Sequence, residues 1–365
     1  MRAVQFHGAR DVRVETVSEP FAQPNQVLID IEWCGICGSD LHEYKSGPQF
    51  IQRKQSTQTT TGECQPVTMG HEFCGRVREL PDSYTGALKV GLPVMVDPRL
   101  VCGHCDACVR SASNVCKDLG FLGLSGGGGG LSETVAVDVN KCYALPENAE
   151  LEIAALIEPL AVARHAVRVS KLDKFHDLTV LVLGGGPIGQ AVVHDLAVQG
   201  AGQVLLSEPA EARQKQVRNM KATVIDPSKD DVAVVCLERT QGVGVDVVFD
   251  CAGAAAAMNA AFSALRVKGT YVTVAGWQAP FTVPFAPLML KEVSILGSMA
   301  YDDQDFAEVV RNFCEGKYKN LADMVTSRIG FAQVVQEGFE QLISSTDSLR
   351  HVKILVTPRQ ELLRV

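Results

Sequence analysis

Two groups of side chains in this 365-residue chain have the types and spacing that hold metal ions. Cys102, Cys105, Cys108 and Cys116 follow one another with two, two and seven residues between them. Four thiolates match a closed tetrahedral zinc site, which keeps no open coordination position and serves to fix a loop. An iron–sulfur cluster uses similar ligands, and free or redox thiols are the metal-free alternative. The second group is spread along the chain as Cys34-Gly35-Ile36-Cys37-Gly38-Ser39-Asp40-Leu41-His42, then Gly70-His71-Glu72, then Glu158-Pro159. One thiolate (Cys37), one imidazole (His71) and one or two carboxylates (Glu72, Glu158) form a three-ligand zinc site with an open position, the form that catalysis by a metal requires. Each residue taken alone is ordinary: a lone cysteine is more often a small core residue and a lone acid a solvated one.

A third group would cradle a ligand. Gly184-Gly185-Gly186-Pro187-Ile188-Gly189 fits G-x-G-x-x-G, follows the apolar run Thr179–Leu183 and opens a helical pattern. The first glycine allows the tight turn, the second lets a pyrophosphate approach the backbone, and the third lets helix and strand pack closely, with the anion at the helix N-terminus. Glu208 ends the next apolar run. A carboxylate there accepts hydrogen bonds from ribose hydroxyls and repels a 2′-phosphate, which favours NAD over NADP.

The elements that must position these groups fall into two textures. From Met1 to about Tyr143 short apolar runs at a period near two are interrupted by Gly and Pro, which reads as mostly β. The polar stretch Gly47 to Val67 and the glycine run Gly126 to Gly130 read as loops. From Leu151 onward strands expected at Thr179–Leu183, Gln203–Ser207, Thr223–Ile225, Asp246–Phe249, Thr270–Val274 and Ser294–Leu296 alternate with helices, among them Ile188–Gln199, Ala210–Met220 and Ala254–Leu265. That alternation describes an α/β, doubly wound parallel sheet. The tail, with helical stretches Asp305–Glu315 and Phe331–Ile343 and a strand Val352–Val356, is too short for a domain and is expected to return to the first one. The expected division is therefore residues 1–157 with 299–365, and residues 158–298.

The hydrophobic fraction of 46% and charged fraction of 21% are those of a folded globular protein. Thirty-four basic against 42 acidic side chains give a net charge of −8, which repels a phosphate backbone and an anionic membrane surface, so neither nucleic acid nor membrane is an expected partner. No stretch approaches the ~20 consecutive apolar residues of a membrane span, and the first residues lack the apolar core of a secretory signal. A cytoplasmic protein is expected, with its 12 cysteines free or bound to metal.

Together these motifs resemble the zinc-containing medium-chain alcohol dehydrogenase family, over essentially the whole chain. Its carriers are Cys34 to His42, Gly70-His71-Glu72, the four-cysteine lobe, Glu158-Pro159-Leu160 and Gly184 to Gly189. Within the family, Trp33 to Cys37, Asp40 to Tyr44, the polar loop before Gly70 and the glycine run before Leu131-Ser132-Glu133 are similar to the butanediol and polyol dehydrogenases. The resemblance implies a mostly β, GroES-like catalytic domain with a structural zinc lobe, and a Rossmann domain for NAD. It implies a catalytic zinc on Cys37 and His71, with Glu158 where classical members supply a second cysteine; whether Glu72 or Glu158 is the direct ligand stays open. Asp40 takes the position that receives the other ring N–H of the zinc histidine. Ser39 and His42 take those of a proton relay, and Arg213 that of a residue covering the adenine. The implied reaction is zinc-assisted hydride transfer between NAD and a small secondary alcohol or vicinal diol, such as 2,3-butanediol, or its hydroxy-ketone acetoin. A sorbitol-like polyol or L-threonine is the alternative substrate on the same machinery. A non-catalytic NAD-binding protein is a reading of another class, opposed by the joint presence of Cys37, Ser39, His42, His71, Glu72 and Glu158. A homodimer or homotetramer is implied.

Overall fold

A computed structural model describes residues 1–53, 60–277 and 280–363. The chain divides into two units, Met1–Glu158 with Asp302–Glu315 and Val325–Val365, and Pro159–Tyr301 with Gly316–Met324.

In the first unit the strand Gln26–Gly35 is central. Its alternate residues Val27, Ile29 and Ile31 are fully buried, as period-two patterning requires. It pairs antiparallel with Glu72–Glu79, with Thr134–Asp138 and with Lys353–Thr357, the last brought in from the far end of the chain. Val325–Gly330 extends this sheet beside Lys353–Thr357, while Pro93–Val96 and Cys142–Ala144 extend the opposite edge. A smaller sheet holds Asp11–Thr16, Arg2–Gly8 and Val67–Thr68 in that order. Of the polar stretch expected as a loop, residues 54–59 lie outside the described residues. Its start is fixed by the buried carboxylate of Glu43, which accepts the backbone N–H groups of Gln49, Phe50 and Ile51.

The division differs from expectation at its edges, with Glu158 in the first unit and residues 299–301 in the second, and the return differs further. Residues 316–324 belong to the second unit, where Tyr318, Leu321 and Met324 are buried and the Tyr318 hydroxyl donates to Asp195 at 3.4 Å. The single helix expected at Phe331–Ile343 is instead a 3₁₀ turn Phe331–Gln333, a π-helical turn Val334–Phe339 and a short α-helix Glu340–Ile343. Its buried residues are Val334, Gly338 and Phe339, a spacing of four and five that the wider π turn turns to one side.

The second unit is a six-stranded, wholly parallel sheet in the spatial order Thr223–Ile225, Gln203–Ser207, Thr179–Leu183, Val245–Asp250, Leu265–Thr273, Ser294–Gly297. In chain order this is 3-2-1-4-5-6, the doubly wound arrangement of two mononucleotide-binding halves. Val180, Val182 and Leu181 are fully buried because helices cover both faces, which is why these strands read as continuous apolar runs. Among the described residues no helix is long and apolar enough to cross a membrane.

Candidate metal centre and cofactor loop

Register in the first unit's sheet assembles the spread-out group. Glu72 pairs with Gly35 across one side of the central strand, and Leu355 pairs with Gly35 across the other. Cys37 follows two residues later as the N-cap of the helix Gly38–Ser46, and His71 immediately precedes the strand Glu72–Glu79. The donor atoms of Cys37, His71 and Glu72 all come within 4.8 Å of one another. Glu158 is buried at the start of the helix Ile157–Val169 but lies outside that set; its charge is felt by Lys353.

Asp40, fully buried, supports both other donors. Its Oδ2 accepts the Cys37 backbone N–H at 3.0 Å, and its Oδ1 stands 3.6 Å from Nδ1 of His71. Among the described residues neither Oδ1 of Asp40 nor Nδ1 of His71 has a hydrogen-bond partner, and such orphaned buried polar atoms call for an explanation. A metal ion fits: ligation through Nε2 leaves the ring proton on Nδ1, where the carboxylate receives it. Burial alone would lower the pKa of His71, but the Asp40 carboxylate and Cys37 outweigh it and hold the ring well above its usual range. The Ser39 hydroxyl lies 3.1 Å from Nε2 of His71, and His42 follows Ser39 by three residues on the same helix, so both side chains share one face.

Sequence reasoning missed Lys353. Its ammonium, 2% exposed, donates to both oxygens of Glu72 at 2.7 and 2.6 Å and to the carbonyl of Ile36 at 3.3 Å. Burial would lower this lysine, but the charge of Glu72, with Cys37 and Glu158 behind it, raises its pKa instead. The signal available in the sequence is one cation inside the apolar strand Val352 to Val356.

The four cysteines converge as expected. Sγ separations are 3.5 Å for Cys105–Cys108, 3.9 Å for Cys105–Cys116 and 3.5 Å for Cys116–Cys102. None is a disulfide. With Zn–S bonds of ~2.3 Å, a tetrahedral cage has sulfur–sulfur edges of about 3.8 Å, so the donor set fits zinc. Backbone N–H groups of Cys108 and Lys117 pull the Cys105 thiol down to about 6, while partial burial and its sulfur neighbours push Cys108 up to about 12.

In the second unit Gly184 turns at φ +91°, and a Cβ on Gly189 would collide with the Gly184 carbonyl oxygen. Gly186 caps the helix Pro187–Val198, whose first position is Pro187, followed by Ile188. Glu208 is buried and accepts the Gly185 N–H at 2.7 Å and the Ala210 N–H at 2.8 Å, so its carboxylate sits against the glycine loop. The guanidinium of Arg213 lies beside Gly186.

Comparison with known proteins agrees with this anatomy. Residues 23–147 match the alcohol dehydrogenase GroES-like domain, and residues 187–315 match the zinc-binding dehydrogenase family. Over 360 residues the chain is 40% identical to an (R,R)-butanediol dehydrogenase of Bacillus subtilis, covering 98% of this chain and 100% of that one. It is 34% identical to a probable diacetyl reductase [(R)-acetoin forming] of Saccharomyces cerevisiae, covering 98% of this chain and 90% of that one. The crystal structure of 2R,3R-butanediol dehydrogenase from Bacillus subtilis superposes with a TM-score of 0.90 at 39% identity, over 98% of this chain and 99% of that one.

Proposed function

The chain belongs to the zinc-binding medium-chain alcohol dehydrogenase family, and from that premise we propose that it interconverts (R,R)-2,3-butanediol and acetoin. It is an oxidoreductase with a GroES-like catalytic domain, Met1–Glu158 with Asp302–Glu315 and Val325–Val365, and a Rossmann cofactor domain, Pro159–Tyr301 with Gly316–Met324. Its cofactors are zinc and NAD. The observation that carries the reading is the convergence of Cys37, His71 and Glu72, backed by Asp40, in a chain similar to butanediol dehydrogenases over nearly its whole length.

Cys37, His71 and Glu72 would hold the catalytic zinc, with Glu158 as the alternative carboxylate, and Cys102, Cys105, Cys108 and Cys116 would hold the structural zinc. Zinc held there would acidify an alcohol hydroxyl as it does water, whose pKa falls from about 15.7 to near 7, and bound NAD⁺ would accept the carbon's hydrogen together with its electron pair, as hydride. Asp40 keeps the His71 proton on Nδ1 and leaves Nε2 to the metal. Ser39 takes the substrate's hydroxyl proton at Oγ and His42 delivers it to solvent, while the alcohol carbon becomes a carbonyl. Glu208 would receive the adenosine ribose hydroxyls, Arg213 would cover the adenine, and Gly184, Gly186, Pro187, Ile188 and Gly189 would present the helix N-terminus to the pyrophosphate.

A second copy of the chain is the partner, in a homodimer or homotetramer. Supporting this, the strand Ser294–Gly297 is an open edge of its sheet, and Ile295, Val267, Phe285, Met289, Leu290 and Met299 are exposed apolar side chains within that unit. A cytoplasmic location fits 12 cysteines without a disulfide among them. Zinc analysis and NAD⁺ reduction test the reading: two zinc ions per chain and turnover of 2,3-butanediol are expected, and a zinc-free chain silent on every diol would contradict it.

A further inference from the structure

Lys353 carries three N–H donors, and the fold supplies three acceptors: both oxygens of Glu72 and the carbonyl of Ile36. The Ile36 carbonyl belongs to the peptide unit that leads into Cys37, so one buried cation ties together the two segments that carry donors of the metal centre. The sheet is built around this arrangement. Glu72 and Leu355 flank Gly35 in register, and Lys353, two residues before Leu355 on the same face, reaches back over Gly35 to the carboxylate. A Cβ on Gly35 would collide with Oε2 of Glu72 and press on Cδ of Lys353 at 3.2 Å. Burial of both partners keeps the lysine from exchanging Glu72 for water.

We infer that Lys353 is a positioning residue of the metal centre, which shares the Glu72 carboxylate with the metal and so weakens Glu72 as a ligand. This rests on the zinc-dehydrogenase reading above. A carboxylate whose charge is already matched by an ammonium donates less to a second cation, and a loosely held carboxylate is one that an incoming hydroxyl can displace. An ion pair that served only to neutralise a buried acid would affect stability without changing the metal.

The test uses the full-length holoenzyme, with Co²⁺ substituted at the centre as a spectroscopic probe and chelator competition as a measure of affinity. In Lys353→Met, Glu72 should bind the metal about tenfold more tightly or better, the Co²⁺ absorption should shift, and kcat should fall with the metal still bound. Lys353→Arg, which keeps the charge and the donors, should restore the wild-type spectrum even if the methionine variant folds poorly. In a Glu72→Gln background the lysine substitution should leave affinity and spectrum unchanged. Unaltered affinity and spectrum in Lys353→Met, or an equal change with Glu72 already replaced, would overturn the inference. A wild type that holds a single metal per chain, at the four cysteines, would overturn the zinc-centre reading and this inference with it.

Discussion

Oδ1 of Asp40 faces Nδ1 of His71 at 3.6 Å while its other oxygen accepts the Cys37 N–H at 3.0 Å, so one buried carboxylate aligns two candidate ligands. Partners of this kind fix the tautomer and orientation of a metal-binding histidine, and removing them typically weakens metal binding 10- to 100-fold. Asp40→Asn should therefore lose zinc from the Cys37–His71 centre at about that factor lower chelator strength, with zinc at the four cysteines unaffected. Equal retention in both proteins would separate Asp40 from the metal.

The two metal sites should part under mutation. Cys37→Ser is expected to lower zinc from two to one per chain and abolish turnover, with the melting temperature nearly unchanged, because an open site mainly does chemistry. Cys105→Ser should lower the melting temperature by roughly 10 °C, since a closed site contributes folding free energy of several kcal/mol. Near-normal turnover in Cys37→Ser would remove it from the catalytic centre.

Glu208 should decide between the two nicotinamide cofactors. Its carboxylate lies against Gly185, in the glycine loop, where it would repel a 2′-phosphate. In Glu208→Ser, kcat/KM with NAD⁺ should fall by roughly 10- to 150-fold, the value of a hydrogen bond to a charged group, while kcat/KM with NADP⁺ rises or holds. Discrimination unchanged from wild type would place the ribose elsewhere.

Much of the cofactor domain was legible because its chemistry is local. Its strands Thr179–Leu183, Gln203–Ser207 and Thr223–Ile225 are mostly β-branched residues and leucine with a Gly or Asp at one end, and Gly184 and Glu208 follow the two strands of a single strand–helix–strand unit. The helix Val232–Arg239, one of those implied by the alternation but not delimited, opens on three valines in four residues; Asp231, whose side chain accepts from the Ala233 and Val234 N–H groups, caps it into a helix. The strand Val325–Gly330 was also unseen, since Ser327 and Arg328 break its apolar alternation. In the metal centre, ligand types and order could be read from Cys37, His71 and Glu72, but the choice among carboxylates could not. Lys353 lies 281 residues from Glu72 and is joined to it only by sheet register, a relation that no local pattern carries.

A zinc- and NAD-dependent oxidation of a vicinal diol is decided by kcat/KM with NAD⁺ for (R,R)-, (S,S)- and meso-2,3-butanediol, sorbitol and L-threonine. (R,R)-2,3-Butanediol should be the best substrate, at least about tenfold ahead of sorbitol and threonine, a gap of ~1.4 kcal/mol in transition-state binding. Sorbitol or threonine turning over faster than every butanediol isomer would contradict it.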